Sequence, residues 1–213
     1  MIHEPIEIQR EEVIRGCSNM PSHIRDVLVN QTLNGLDCDQ LPLGRGKFGS
    51  MDNPIPVNGP IGEIKYLIKL KGTNGLAMMF HRIGSCRSEV ALHPLDLFEV
   101  VCIDGSQWAH LYFDSYHPRR SNLCPDGFYL EPFNKLRGID SNSGLGTTYF
   151  VENFPHLLPE AILHQYGIQR GRLPAEIVSS FIKPNKFNRP PEFERTPPLL
   201  SRQTINRETV LEK

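Results

Sequence analysis

Glu63-Ile64-Lys65-Tyr66-Leu67-Ile68-Lys69-Leu70-Lys71-Gly72-Thr73-Asn74-Gly75-Leu76-Ala77-Met78-Met79-Phe80-His81 is the stretch on which the fold class turns. Ile64, Tyr66, Ile68 and Leu70 alternate with Lys65, Lys69 and Lys71, interrupted only at Leu67. A period of two with one wet face is the pattern of a half-buried strand. Gly72-Thr73-Asn74-Gly75 then supplies a turn, and Leu76 to His81 reads as a second strand, apolar on both faces. Residues 63–81 are therefore expected to form a β-hairpin.

Downstream the same logic continues. Leu97 to Ile103 is a third strand, Asp104-Gly105 is a hairpin turn signal, and Trp108 to Asp114 is a fourth strand. Residues 63–114 thus read as an antiparallel meander. Residues 118–183 are turn-rich, with short strands around Phe128-Tyr129-Leu130 and Thr147 to Val151, and two short helices opened by Pro159 and Pro174. From 184 to 213 prolines recur among few apolar anchors, which reads as an extended or disordered tail with a small helix near Val210.

Upstream, Ser22 follows Pro21, Ile24, Val27 and Leu28 fall at i, i+3 and i+4, and Asn34-Gly35 provides a stop, so 22–33 is expected to be a helix. Residues 6–16 carry a weaker helical pattern ended by Gly16. Residues 35–62 form a Gly/Pro-rich strap. Pro54, Pro56 and Pro60 argue against helix or central strand, while Ile55, Val57 and Ile61 imply packing against the body. The whole reads as one loop-rich α+β domain over 1–183. It has an antiparallel sheet of four or more strands, short helices on its N- and C-terminal sides, and the tail appended.

Composition narrows the function classes. With 17 glycines and 18 prolines in 213 residues, the chain is no coiled coil, helical repeat or long bundle. A net charge of −1 withholds the summed positive field that draws proteins to nucleic acid. No window approaches the ~18 uninterrupted apolar residues of a membrane span. The N-terminal Met-Ile-His-Glu-Pro-Ile-Glu lacks the basic start and apolar core of a signal peptide. Cys17, Cys38, Cys86, Cys102 and Cys124 are odd in number and form no C-x-x-C, as expected of free thiols in a reducing cytoplasm.

The candidate site follows from topology. In an antiparallel meander the second and fourth strands run the same way, so their C-terminal ends emerge at one edge. There His81, Arg82 and Ser85 meet Asp114, Tyr116, His117, Arg119 and Arg120. His81, Asp114 and His117 are the candidate catalytic groups, since a histidine paired with a carboxylate can act as a base near neutral pH. Arg82, Ser85, Tyr116, Arg119 and Arg120 are candidate anion ligands, because guanidinium forks match phosphate and carboxylate. Trp108 and Tyr112 alternate on the outer face of the fourth strand and require a cover, a ligand or a partner. The cheapest cover is residues 51–62 or the C-terminal helices.

Other motifs weigh less. Gly44-Arg45-Gly46-Lys47-Phe48-Gly49 satisfies G-x-G-x-x-G, but neither a strand before it nor a helix after it is expected, so it reads as a loop. Cys86, His93, His117 and Cys124 lack the spacing of a zinc signature. No metal or cofactor is expected.

The first functional expectation is a binding or interaction protein without chemistry of its own. It would engage a protein partner, or itself, through an apolar patch or the C-terminal tail. The alternative is a small hydrolase or transferase acting on an anionic substrate, phosphorylated ones included, at the His/Asp/Arg edge.

Overall fold

The computed structural model describes residues 4–132, 145–170, 172–182, 187–194 and 199–200. The expected tail helix near Val210 lies outside them. Helices α1 (Ile6–Gly16) and α2 (Ser22–Leu33) come first, followed by a two-residue strand β1 (Ile55–Pro56) and helix α3 (Gly59–Lys69). Strands β2 (Leu70–Gly72), β3 (Met78–Cys86), β4 (Leu95–Cys102), β5 (Trp108–Asp114), β6 (Phe128–Leu130) and β7 (Gly146–Thr147) follow, and α4 (Leu158–Arg170) and α5 (Arg172–Phe181) come after them. The class is α+β.

The main sheet has five strands in the order β1-β5-β4-β3-β7. The pairs β3/β4 and β4/β5 are antiparallel, as expected for the meander's last three strands. The sheet is mixed rather than wholly antiparallel, because β1 adds parallel to β5 and β7 adds parallel to β3. β2 and β6 form a separate two-stranded antiparallel sheet.

The first expected strand is not one. Residues 64–69 belong to α3, and only Leu70–Gly72 is extended. Leu67, the residue that broke the alternation, explains the outcome. Glu63, Tyr66, Leu67 and Leu70 are all buried, and they fall at i, i+3, i+4 and i+7, one face of a helix. The strap's last proline helps rather than hinders: Pro60 sits in the first helical turn, where its missing N–H costs nothing. Gly59 enters the helix at φ +74°, a conformation glycine reaches freely. Lys65, on the opposite face, pairs with Glu12 of α1. The turn at 72–75 is present, closed by Gly75 N–H donating to Gly72 O at 2.9 Å.

Both faces of the sheet are covered. On the inner face Met78, Phe80, Phe98, Val100, Leu111 and Phe113 pack with Ile55 and Val57 against Ile64, Tyr66 and Leu67 of α3. On the outer face Met79 and Val101 pack under Val151, Phe154, Leu158, Ile162, Ala175, Val178 and Phe187. Two covered faces account for Met78-Met79-Phe80 being apolar without alternation, and each such side chain contributes roughly 1.5–3 kcal/mol by its burial. The cover over Trp108 is thus the C-terminal part of the chain, while Ile55 and Val57 of the strap serve the inner core. Among the described residues no helix is long and apolar enough to cross a membrane.

Candidate functional site

β3 and β5 both run antiparallel to β4, so their C-terminal ends do share an edge. The register nevertheless divides the expected assembly. His81 pairs with Glu99, and Glu99 pairs with His110, so His81 lies level with His110 in mid-sheet. Asp114 is four residues, about 13 Å, further along β5, and His117 lies beyond it. The polar residues therefore gather in two places: an outer-face row and the strand-end edge.

The outer-face row is His81, Glu99 and His110 on three adjacent strands. His81 and Glu99 are wholly buried. His81 Nε2 lies 3.0 Å from Glu99 Oε2, and His81 Nδ1 accepts the Val151 N–H at 2.9 Å. An acceptor at Nδ1 fixes the proton on Nε2, which donates to Glu99. The ring stacks on Phe154, centroids 4.2 Å apart. Burial holds the His81 pKa below its ordinary value, and Glu99 only partly offsets this. Arg189, from the segment read as tail, pairs through Nη2 with the same oxygen, Glu99 Oε2. Phe193 closes over the row, its ring 4.8 Å from His110 and 6.2 Å from Trp108. Four polar atoms here have no hydrogen-bond partner among the described residues: Glu99 Oε1, His110 Nε2, Trp108 Nε1 and Arg189 Nε. His110 is also pushed towards neutrality by burial.

At the strand-end edge Asp114 and His117 do meet. His117 Nε2 is 3.1 Å from Asp114 Oδ2, while Nδ1 donates to Leu36 O at 2.6 Å, with Cys38 Sγ 3.7 Å away. Burial would lower this pKa, but Asp114, Cys38 and the Leu36 carbonyl outweigh it and raise it to about 10. At neutral pH the ring is an imidazolium with both N–H groups engaged, and it has no lone pair with which to take a proton.

The edge guanidinium groups are also matched. Arg119 reaches Asp37 at 2.5 Å and Asp39 at 2.6 Å. Arg120 is buried between Glu4 and Glu12, 2.9 Å from the latter, and burial lowers its pKa to about 10. Arg82 donates to Asp96 at 2.6 Å and to Ser85 Oγ at 2.7 Å, and Ser85 donates to Asp96 at 2.9 Å. That triad depends on a bulge between Arg82 and Gly84, which brings side chains three residues apart onto one face. Tyr116 packs on His93 with the rings tilted by 39° and centroids 4.0 Å apart, and burial and Asp96 push its hydroxyl up to about 12. Tyr112 is half-buried further along β5 and its N–H donates to Gly49 O.

Glu63, Asp96, Glu99, His110 and Arg189 complete these clusters and are absent from the residues singled out by sequence. Glu99 carried a signal: it is the one charge within Leu97-Phe98-Glu99-Val100-Val101-Cys102, a strand otherwise apolar on both faces. Glu63 carried none, because its burial becomes visible only once 59–69 is a helix. Burial and the neighbouring Asp96 push the Glu63 carboxyl well above its usual range, and Ser115 donates to it.

The Gly44–Gly49 loop uses its amides internally: Gly44 N–H bonds Leu41 O, Arg45 N–H bonds Asp52 O and Gly49 N–H bonds Asn53 O. Among the described residues no three His, Cys, Asp or Glu side chains are arranged to hold a metal ion. All five cysteines are free thiols. Comparison with protein-family models, curated proteins and solved structures gives no match.

Proposed function

We propose that this chain is a protein-binding module, and that the outer face of its sheet is a seat for a short peptide segment carrying an arginine and an aromatic residue. The observation that carries this reading is the chain's own occupancy of that face: Arg189 on Glu99 and Phe193 on Trp108 and His110. The segment Phe187-Asn188-Arg189-Pro190-Pro191-Glu192-Phe193-Glu194 suits the role. Pro190 is extended at φ −64° and ψ 142°, and Pro191–Phe193 follow as one 3-10 turn; the two prolines restrict φ, which lowers the entropy lost on docking. The partner is another protein or, by exchange of this segment, a second copy. The free thiols support a reducing, cytoplasmic setting.

The test uses the full chain with Arg189→Ala and Phe193→Ala, titrated against a fluorescent peptide of residues 187–194. The emptied seat should bind the peptide, and the native chain should bind it at least about tenfold more weakly, because its tethered copy competes at millimolar effective concentration. A folded double variant that ignores the peptide, or equal binding by both proteins, overturns the reading.

A second reading keeps a hydrolase or transferase for anionic substrates at the strand-end edge. One observation favours it: burial, with Asp96 beside it, drives Glu63 towards its protonated form, and a buried carboxyl group that keeps its proton can serve as an acid. Turnover of p-nitrophenyl phosphate that Glu63→Gln abolishes supports this reading, and an inert native protein removes it.

A further inference from the structure

The contact between Arg189 and Glu99 uses half of what each group offers. An arginine meets a carboxylate best with two parallel N–H···O bonds. Here both recorded bonds to the carboxylate, from His81 and from Arg189, fall on Oε2. Oε1 has no partner among the described residues although the side chain is wholly buried, and Arg189 Nε has none either. A buried carboxylate oxygen left unmet has given up its water without replacement, at a cost that is larger still when the group is charged. Beside it, His110 Nε2 and Trp108 Nε1 are unmet as well. Their chemistry is complementary to one kind of ligand. Glu99 Oε1 accepts, a neutral imidazole can offer a lone pair at Nε2, and the indole N–H can only donate. An arginyl residue in a peptide brings donors for the first two and a backbone carbonyl for the third.

We infer that Glu99, His110 and Trp108 form a guanidinium subsite that Arg189 occupies incompletely, and that an arginine presented by a partner engages both Glu99 oxygens and displaces it. The inference rests on the seat reading and specifies its ligand class. The cis segment is then a placeholder: tethered, hence always near, yet imperfectly matched, so a better-matched segment can exchange with it. Lysine is a poorer ligand, since its ammonium is a point donor without the planar fork.

The chain has one tryptophan, so Trp108 fluorescence reads this site directly. Full-length Arg189→Ala is titrated with N-acetyl-arginine amide and, separately, with N-acetyl-lysine amide, while Glu99→Gln in the same background serves as the control of equal volume. The inference expects a saturable change in Trp108 emission, at least about tenfold preference for the arginine compound, and loss of the response with Glu99→Gln in protein that still unfolds cooperatively. Equal response to both compounds makes the subsite a mere negative charge and overturns its specificity. No response to either compound, where the 187–194 peptide still binds, overturns the subsite and leaves the seat standing. No response to the compounds or to the peptide removes both. A response that survives Glu99→Gln places the ligand elsewhere and also overturns the inference.

Discussion

Two histidine–carboxylate pairs are buried among the described residues, His81 with Glu99 and His117 with Asp114, and their rings differ in charge. Separations are alike, 3.0 Å and 3.1 Å. One difference is what the backbone shows the other ring nitrogen. His81 Nδ1 faces the Val151 N–H, which demands a lone pair, so the ring is neutral. His117 Nδ1 faces the Leu36 carbonyl, which demands a proton, so the ring is cationic. Each neighbourhood still closes with one positive and one negative group: Glu99 takes its cation from Arg189, and Asp114 takes its cation from His117 itself. A histidine beside a carboxylate therefore has no fixed charge state: burial favours the neutral ring in both pairs, prevails at His81, where the Val151 N–H takes the lone pair, and is outweighed at His117, where Asp114, Cys38 and the Leu36 carbonyl act together.

Deleting each imidazole tests that contrast, and this is the largest effect expected. His117→Leu leaves Asp114 buried without its cation, which should cost about 3–5 kcal/mol of unfolding free energy. His81→Leu removes a neutral ring. Glu99 keeps Arg189, and the main loss is the unmet Val151 N–H, about 1–3 kcal/mol. Urea unfolding of the two variants measures both costs. Equal costs, or the reverse order, would break the comparison.

Reading the sequence reached some of this and not the rest, for reasons visible in particular residues. The strands of 78–114 and the helix at 22–33 follow from local pattern and turn chemistry, which act over a few residues. Residues 64–71 misled because an alternation of four apolar residues and three lysines fits both periods, and the tie is broken by Glu63 and Leu67 packing on a sheet that local pattern cannot see. The parallel edge strands β1 and β7 are two residues each, too short to leave a periodic trace. At the candidate site, three-residue spacing was enough to bring Asp114 to His117. The separation of His81 from His117 depended on register, which places His81 opposite Glu99 and three pairs short of Ser85 and Asp96. Arg189 on Glu99 spans ninety positions of sequence, a contact that no local signal encodes.

The pH dependence sharpens the comparison with a smaller, graded effect. His117 is raised in the folded chain to about 10, against the ordinary ~6.5 when unfolded. Its contribution to stability is complete below about pH 6.5 and is lost as pH rises towards 10, with a slope of at most about 1.4 kcal/mol per pH unit. His81 is lowered in the folded chain, so its contribution is complete above about pH 6.5 and is lost as pH falls below that value. Urea unfolding between pH 5 and 10 should therefore show two limbs of opposite sign. Subtracting the profile of Asp114→Asn isolates the share of the alkaline limb that Asp114 supplies, and the limb should shrink in that variant to what Cys38 and the Leu36 carbonyl sustain. The acid limb answers to the other pair. Burial holds the His81 pKa down and the Arg189 charge adds to it, so without Arg189 the ring keeps a proton opposite Glu99 more readily. Arg189→Ala should accordingly flatten the acid limb and move the His81 ring-proton NMR titration upward, leaving His117 unmoved. If both histidines titrate near 6.5 in the native protein, the two sets of surrounding groups do not set the charge, and the distinction between the two pairs fails.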